Sequence, residues 1–354
     1  MHDLHTGVSC LDNLQRPLYD LRISVTDRCN LRCTYCMPGE VFGRDFVFLR
    51  HAELLSFEEI IRVARQCIAL GVRKIRLSGG EPLLRHGIER LVEMLAGLHG
   101  NDGKPIELAM TSNGTLLAKK ARALKDAGLM RLNISLDALD EKIFRHMSGS
   151  SISPSVVLEG IAVAQSVGLT PVKVNAVIKR GINESEILPL IRHFRHTGVI
   201  MRFIEYMDVG TTNGWRLDDV VTAREILASI DREHPLTPIE PHAPNEVAER
   251  WAFQDGSGEI GVITSVTQTF CHTCSRLRLS TDGKLYTCLF ATQGVDLRPL
   301  LRIHSAKPAH PSDDAALRQR IATAWHCRTD RYSQLRHELT EKLPGRIEMS
   351  YIGG

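Results

Sequence analysis

Leu21-Arg22-Ile23-Ser24-Val25-Thr26-Asp27-Arg28-Cys29-Asn30-Leu31-Arg32-Cys33-Thr34-Tyr35-Cys36 decides how the rest of the chain is read. Its first half is short, alternating and rich in β-branched residues, the pattern of a strand. Its second half sets three cysteines at C-x3-C-x2-C spacing. Three thiolates in one tight loop are one short of the four that a four-iron cubane takes. One iron is then open for chemistry, as a catalytic zinc keeps one free position. A second triad repeats the deficit: Cys271-His272-Thr273-Cys274, with Cys288 after thirteen intervening residues.

Outward from that stretch, strand patterns alternate with helix patterns, which predicts parallel βα units. The predicted strands are Leu21–Thr26, Lys74–Ser78, Ile106–Thr111, Arg131–Ser135, Val172–Val177 and Val199–Glu205. Helices are predicted over Ser56–Leu70, Ile88–Leu98, Ala118–Ala127, Ser155–Val167, Ser185–His196 and Ala223–Ile230. Ser56 and Glu59 make a capping box ahead of Ile60. Six such units are two short of a closed barrel. The expected fold is therefore α/β, an open partial (β/α)6 TIM-like barrel with a small C-terminal α+β region. Residues 1–20 read as an N-terminal extension, 21–233 as the barrel and 245–354 as the C-terminal region. The segment 234–244, with four prolines, reads as a linker between the last two. Beyond it, Glu259–Ser265, Leu277–Ser280 and Lys284–Cys288 are expected as short antiparallel strands around the second triad. Ser305–Asp314 reads as a loop and Ala315–Trp325 as a helix.

Composition narrows the class. A chain of 354 residues with 43% hydrophobic and 24% charged residues can bury a full core. A net charge of +3 is too small for a nucleic-acid footprint. No run approaches a membrane span and the N-terminus lacks a signal peptide's apolar stretch, so a cytoplasmic protein is expected. Nine cysteines exclude a complete set of internal disulfides. Thiolate ligands with spare thiols fit a reducing compartment. Cys10, Cys67 and Cys327, outside the triads, read as apolar filler.

In barrels of this kind reactive residues collect at the C-terminal ends of the strands. Ser78-Gly79-Gly80-Glu81-Pro82, Thr111-Ser112-Asn113-Gly114, Ser135-Leu136-Asp137 and Glu205-Tyr206-Met207 each fall at such an end. Arg22, Arg76 and Lys173 lie within strands, where inward cations are expensive without an anion. Long side chains escaping to solvent at strand ends are the plain alternative. Arg276 and Arg278 are two apart on a strand, so their guanidinium groups share a face and suit a polyphosphate or carboxylate. A solvated arginine pair is the alternative there. Cys271, Cys274 and Cys288 also admit a structural zinc, although His272 lies inside the C-x2-C knuckle and is poorly placed to reach the same metal.

The first triad, with Tyr35 between its last two cysteines, resembles the radical S-adenosylmethionine superfamily. Gly79-Gly80-Glu81-Pro82 strengthens that resemblance. Adding the second triad, Arg202-Phe203-Ile204-Glu205-Tyr206-Met207-Asp208-Val209-Gly210, Ile263-Thr264-Ser265-Val266 and Tyr351-Ile352-Gly353-Gly354, the chain resembles the GTP 3′,8-cyclase family of molybdenum-cofactor biosynthesis. The resemblance runs from about Arg22 to the end. It implies two [4Fe-4S] clusters, held by Cys29, Cys33 and Cys36 and by Cys271, Cys274 and Cys288. It implies S-adenosylmethionine contacts from Tyr35, Gly80, Ser135 and Met207, with Glu81 receiving the cofactor's amino group. GTP would bind through the open iron of the second cluster, Arg22, Arg76, Thr111, Lys173 and the segment Arg276, Leu277, Arg278. Arg276, Arg278 and the tail glycines Gly353 and Gly354 are expected at the reacting centre. Ser78 and Ser112 replace threonines frequent in the family, and each keeps a hydroxyl.

The implied reaction begins with a 5′-deoxyadenosyl radical and joins C3′ of the ribose to C8 of guanine. Implied partners are a flavodoxin- or ferredoxin-type reductant and a downstream cyclic pyranopterin monophosphate synthase, with the chain a monomer or homodimer. Another two-cluster radical enzyme, such as a peptide-modifying maturase, is the nearest alternative. An iron–sulfur electron-transfer protein and a zinc-ribbon binding module are the alternatives from other classes.

Overall fold

A computed structural model describes residues 10–241, 246–302, 311–336 and 345–354. The barrel half contains β1 Asp20–Ser24, α1 Phe57–Ala69, β2 Lys74–Ser78, α2 Ile88–Ala96, β3 Glu107–Ser112, α3 Leu117–Asp126 and β4 Arg131–Ser135. It continues with α4 Glu141–Ser148, α5 Pro154–Ser166, β5 Val172–Ile178, α6 Ile187–Phe194, β6 Ile200–Glu205 and α7 Ala223–Asp231. The C-terminal half adds β7 Leu236–Ile239, β8 Glu249–Phe253, β9 Glu259–Ile263, β10 Arg276–Leu279, β11 Lys284–Tyr286 and β12 Val295–Asp296. Helices α8 Arg298–Leu301, α9 Pro311–His326, α10 Tyr332–Leu335 and α11 Met349–Ile352 follow. The capping box opening α1 is present: Ser56 Oγ accepts from Glu59 N at 3.1 Å, and Ser56 N donates to Glu59 at 2.7 Å.

All twelve strands form one sheet in the order β12-β11-β10-β1-β2-β3-β4-β5-β6-β9-β8-β7. The six predicted barrel strands lie side by side and parallel, in chain order. The expected antiparallel arrangement beyond them is only partly right. β10 pairs parallel with β1, and β9 pairs parallel with β6. Antiparallel pairing is confined to β10–β11, β11–β12, β8–β9 and β7–β8. The reason is the open barrel itself. Six strands leave the outer edges of β1 and β6 bare, and an unpaired edge demands a partner. The C-terminal half supplies one to each side.

The proline-rich segment is also more than a linker, since Leu236–Ile239 pairs with β8. β7 is the last strand of the sheet, where a proline without an N–H is tolerated. Residues 242–244 of that segment, residues 305–310 of the predicted loop and residues 1–9 of the extension lie outside the described residues. Cys67 is buried in the core, whereas Cys327 is exposed and is not filler. Among the described residues no helix is long and apolar enough to cross a membrane.

Strand parity decides what faces inward. Leu21 and Ile23, Ile75 and Leu77, Leu132 and Ile134, and Val172 and Val174 are fully buried in the apolar core beneath the helices. Each such side chain contributes about 1.5–3 kcal/mol by leaving water. Their alternates on the same strands point into the barrel, and these are charged or polar: Asp20 and Arg22, Lys74 and Arg76, Arg131 and Asn133, Lys173 and Asn175. A TIM barrel usually fills this space with branched aliphatic residues. This one keeps it open.

Candidate active site

The barrel interior encloses a cavity of about 520 Å³ lined by all six triad cysteines. The two triads stand at opposite ends. Cys29 follows the C-terminal end of β1, whereas Cys274 precedes the N-terminal end of β10. Because β1 and β10 are parallel with Asp20 opposite Arg276, the five residues of β1 separate the ends. At ~3.3 Å per residue that is roughly 16 Å.

At the first end, the cysteine loop is fastened to the Gly79-Gly80 turn. Gly80 N donates to Thr26 O and Glu81 N to Arg28 O, both at 2.8 Å. A Cβ on Gly80 would meet the Arg28 carbonyl carbon at 2.6 Å, so the close approach needs glycine. Leu31 N and Asn113 Nδ2 donate to Cys29 Sγ at 3.4 and 3.7 Å. Tyr35 donates its hydroxyl to Asp137 at 2.8 Å, and Asp137 also accepts from Val177 N at 2.9 Å. Burial pushes the Cys29 thiol up to about 11 and raises Cys33 and Cys36 as well. Thiols so buried become thiolates when a bound metal supplies positive charge.

The second end differs electrostatically. Burial opposes ionisation of Cys274, but Arg276 and Arg328 override it and hold the thiol at about 6. Arg276 Nε and Nη2 each lie 3.4 Å from its sulfur, and Arg328 Nη2 lies 3.1 Å away. Burial, then Asp330, pushes Cys288 up to about 12. Among the described residues no three His, Cys, Asp or Glu side chains converge on a single metal ion. A four-iron cluster places each cysteine on its own iron and does not need that convergence. Three cysteines at each site, with N–H donors on the sulfurs of Cys29, Cys274 and Cys288, fit such a cluster as a donor set.

Between the two ends lies a wall of cations. Arg22, Arg76, Lys173, Arg202, Arg276 and Arg278 all line the cavity. Burial, then Arg278, lowers Arg22 well below the ordinary arginine value, and burial with Arg276 brings Arg278 down to about 10. Burial, then Arg202, brings Lys173 down to about 7. Arg76 Nη1 donates to Thr111 at 3.2 Å. Glu246 stands 3.2 Å from Arg202 and 3.8 Å from Lys173. The buried atoms Arg22 Nε, Arg76 Nε, Arg202 Nε, Asp20 Oδ1 and Asn175 Oδ1 have no hydrogen-bond partner in the protein. Buried donors left unpaired beside a cavity are the signature of a site built for an anion.

Most residues expected from sequence meet here: Tyr35, Gly80, Ser135 and Met207, and likewise Arg22, Arg76, Thr111, Lys173, Arg276, Arg278 and Gly354. Two do not. Leu277 is fully buried in the core because strand parity turns it away from its arginine neighbours. Glu81 is 1% exposed, and its carboxylate accepts from Leu83 N, Ser112 Oγ and Asn113 N at 3.1, 2.9 and 2.7 Å. Those bonds oppose burial, which nonetheless raises it to about 7. The Glu81 carboxylate therefore ties the loops after β2 and β3 together beneath the cavity instead of reaching into it.

Gly353 sits behind the wall, where its carbonyl accepts from Arg278. The tail reaches that place through anchors. Arg346 Nη1 donates to Asp208 O at 2.7 Å, and Glu348 accepts from Thr211 N at 2.9 Å. Sequence reasoning missed Asp20, Lys74, Arg131, Arg202 and Arg328. The first three were detectable, since each lies on an inward position two residues from another polar residue of its strand, whereas Arg202 has isoleucines at both such positions.

Residues 23–194 match the Radical SAM superfamily, and residues 199–334 match the Molybdenum Cofactor Synthesis C family. A GTP 3′,8-cyclase of Acidothermus cellulolyticus is 51% identical over 97% of this chain and 98% of its own length. One from Staphylococcus haemolyticus is 45% identical with the same coverage. The chain belongs to the GTP 3′,8-cyclase family. Its fold is also that of Streptococcus suis SuiB bound to S-adenosylmethionine, with a TM-score of 0.61 at 16% identity over 94% of this chain and 76% of that one. As a GTP 3′,8-cyclase family member with a radical SAM domain, the chain is a radical SAM enzyme, which implies a four-iron cluster and S-adenosylmethionine.

Proposed function

We propose that this enzyme converts GTP to (8S)-3′,8-cyclo-7,8-dihydroguanosine 5′-triphosphate, the first step of molybdenum-cofactor biosynthesis. The observation that carries the reading is one cavity shared by two cysteine triads at opposite ends of a cationic wall. In this reading Cys29, Cys33 and Cys36 hold the cluster that binds S-adenosylmethionine, with Tyr35, Gly80, Ser135 and Met207 around the cofactor. Cys271, Cys274 and Cys288 hold the second cluster, beside which guanine lies. When bound, the first cluster and S-adenosylmethionine supply the 5′-deoxyadenosyl radical that takes the ribose 3′ hydrogen. The chain's own share is positioning. Arg22, Arg76, Lys173, Arg276 and Arg278 fix the triphosphate, Thr111 orients it from β3, and Gly353-Gly354 pack the tail against Arg278. The sheet and the strand-end loops that wall the cavity limit the access of water to the reacting carbon.

The same reading divides the chain into an extension (1–20), a radical barrel (21–233) and a cluster-and-substrate region (245–354). It includes a flavodoxin- or ferredoxin-type reductant, a downstream synthase that consumes the product, a monomeric or homodimeric state, and action in the reducing cytoplasm.

The test is anaerobic turnover of reconstituted protein with dithionite, S-adenosylmethionine and GTP, read by mass spectrometry. Cys33→Ser should abolish both 5′-deoxyadenosine and cyclised product. Cys274→Ser should abolish cyclised product, whatever deoxyadenosine it still forms. Normal GTP conversion by either variant would end the proposal.

A further inference from the structure

The N-terminal segment before β1 reaches the second triad from outside the cavity. Asp12 and Arg16 form a buried ion pair at 2.6 Å, with side chains 0% and 1% exposed. Asp12 also accepts from the backbone N–H groups of Leu14 and Arg16, both at 2.9 Å, so its carboxylate is fixed by its own turn. Arg16 Nη1 then crosses 255 positions of sequence to donate to the Cys271 carbonyl at 2.9 Å, and it donates to Asp330 O at the same distance. Arg328 completes the set. It donates to the Cys274 carbonyl at 2.6 Å and to the Cys274 sulfur at 3.1 Å, and it stands 3.6 Å from Asp12. Trp325 holds both arms: its Nε1 donates to Arg16 O at 3.1 Å, and its ring lies under the Arg328 guanidinium at 4.6 Å.

A buried carboxylate shared by two buried arginines is costly to assemble and strongly destabilising to break, so it marks a place where orientation matters. Here the bonds go from each arginine to a different cysteine of one triad. Hydrogen bonds and nearby charge are the levers by which a protein sets the reduction potential of a thiolate-held cluster. A cation at the sulfur favours the reduced, more negative cluster. A counter-anion one residue behind it weakens that effect, and burial keeps both largely unscreened by salt.

We propose that Asp12, Arg16 and Arg328 are positioning residues for the Cys271/Cys274/Cys288 site: Arg16 and Arg328 orient its cysteine loop, Arg328 raises the potential of the cluster held there, and Asp12 sets how far. This rests on the reading that the second triad holds an iron–sulfur cluster. It adds a role for the segment before β1.

The experiment isolates the second site in a Cys29→Ser/Cys33→Ser/Cys36→Ser background, reconstituted with iron and sulfide. Iron content is counted, then the cluster is titrated potentiometrically and followed by electron paramagnetic resonance. About four irons per chain are expected in that background. Absence of iron would defeat the two-cluster reading, and the inference with it, before any potential is measured. With iron present, Arg328→Gln should lower the reduced-to-oxidised ratio at fixed potential about tenfold, equivalent to about 59 mV for one electron. Asp12→Asn should move the ratio the opposite way by a few fold, because it removes the counter-anion and leaves the cation. Opposite signs are the decisive feature, since a merely structural support would move neither or both alike. Should Arg328→Gln fail to retain iron, Asp12→Asn decides alone: a rise in its reduced-to-oxidised ratio upholds the inference, and no change or a fall overturns it. Unchanged potentials in variants with full iron would overturn the inference.

Discussion

Arg22 and Arg278 are register partners across the parallel pair β1–β10, so two guanidinium groups stand side by side on the cavity wall. Arg22 is lowered well below its ordinary value by burial and then by Arg278, which means its charge is held at a cost in the unliganded protein. Arg22→Met should therefore leave the melting temperature unchanged or raise it. GTP binding should weaken about 10- to 100-fold, as expected for a lost charge-assisted bond worth about 1.5–3 kcal/mol. Calorimetry and thermal melting of one preparation decide it: lower stability with intact affinity would assign Arg22 to structure.

Lys173 makes binding pH-dependent. Burial, then Arg202, brings its ammonium from the ordinary 10.5 to about 7. Between those values the unfolded chain holds a proton that the unliganded folded protein has lost. Stability of the unliganded protein should thus rise with pH from about 7 toward 10, this contribution being most unfavourable below 7. A triphosphate acts in reverse by restoring the proton. GTP should bind with uptake of close to one proton near pH 8, and more weakly as pH rises from 7 to 9. Lys173→Met should flatten that slope. Binding enthalpies in buffers of different ionisation heat give the proton count, and a wild-type affinity independent of pH would contradict the assignment.

Gly80 sits against the backbone of the first cysteine loop, and a Cβ there would press into the Arg28 carbonyl. The obstacle is backbone, which yields less readily than a side chain. Gly80→Ala should reduce iron retained at the first triad and abolish S-adenosylmethionine cleavage, while GTP affinity, which depends on the cationic wall, changes by less than a few fold. Loss of GTP affinity equal to the loss of cleavage would instead indicate general unfolding.

Gly353 adopts φ +76°, in the left-handed region, with its would-be Cβ directed into Ser78 Oγ. Gly353→Ala should displace the tail from Arg278 and lower cyclised product at least tenfold, because misplacement near the reacting atoms costs rate steeply. Cleavage of S-adenosylmethionine should continue, now uncoupled from product. The ratio of 5′-deoxyadenosine to product measures this directly, and a ratio equal to wild type would show the tail to be dispensable.

Much of this architecture is legible in the sequence, for identifiable reasons. β2 and β4 begin and end where alternation predicts, and Ser56 caps α1 as its sequence requires. Each is decided by local periodicity or a local bond. What local pattern does not reveal is which strand closes an edge. β9 and β10 look like parts of small antiparallel ribbons, because the bare edges of β1 and β6 are properties of the assembled sheet. Leu277 illustrates the cost of reading a segment as a unit: placed between two cavity arginines, it points the other way by parity. Glu81 shows the converse, a carboxylate in the right loop whose oxygens are already taken by that loop's own neighbours. Arg16 shows only its local pairing with Asp12 in the sequence, since the cysteine carbonyl it reaches lies 255 positions away.

The most direct test of the central claim is isotope transfer. GTP deuterated at the ribose 3′ position is incubated anaerobically with reconstituted protein, dithionite and S-adenosylmethionine, and 5′-deoxyadenosine is analysed by mass spectrometry. Placing substrate and cofactor between the two triads predicts one deuterium in 5′-deoxyadenosine, with GTP lost in proportion. Unlabelled 5′-deoxyadenosine with GTP intact would retain the radical chemistry and contradict GTP as the molecule this cavity holds.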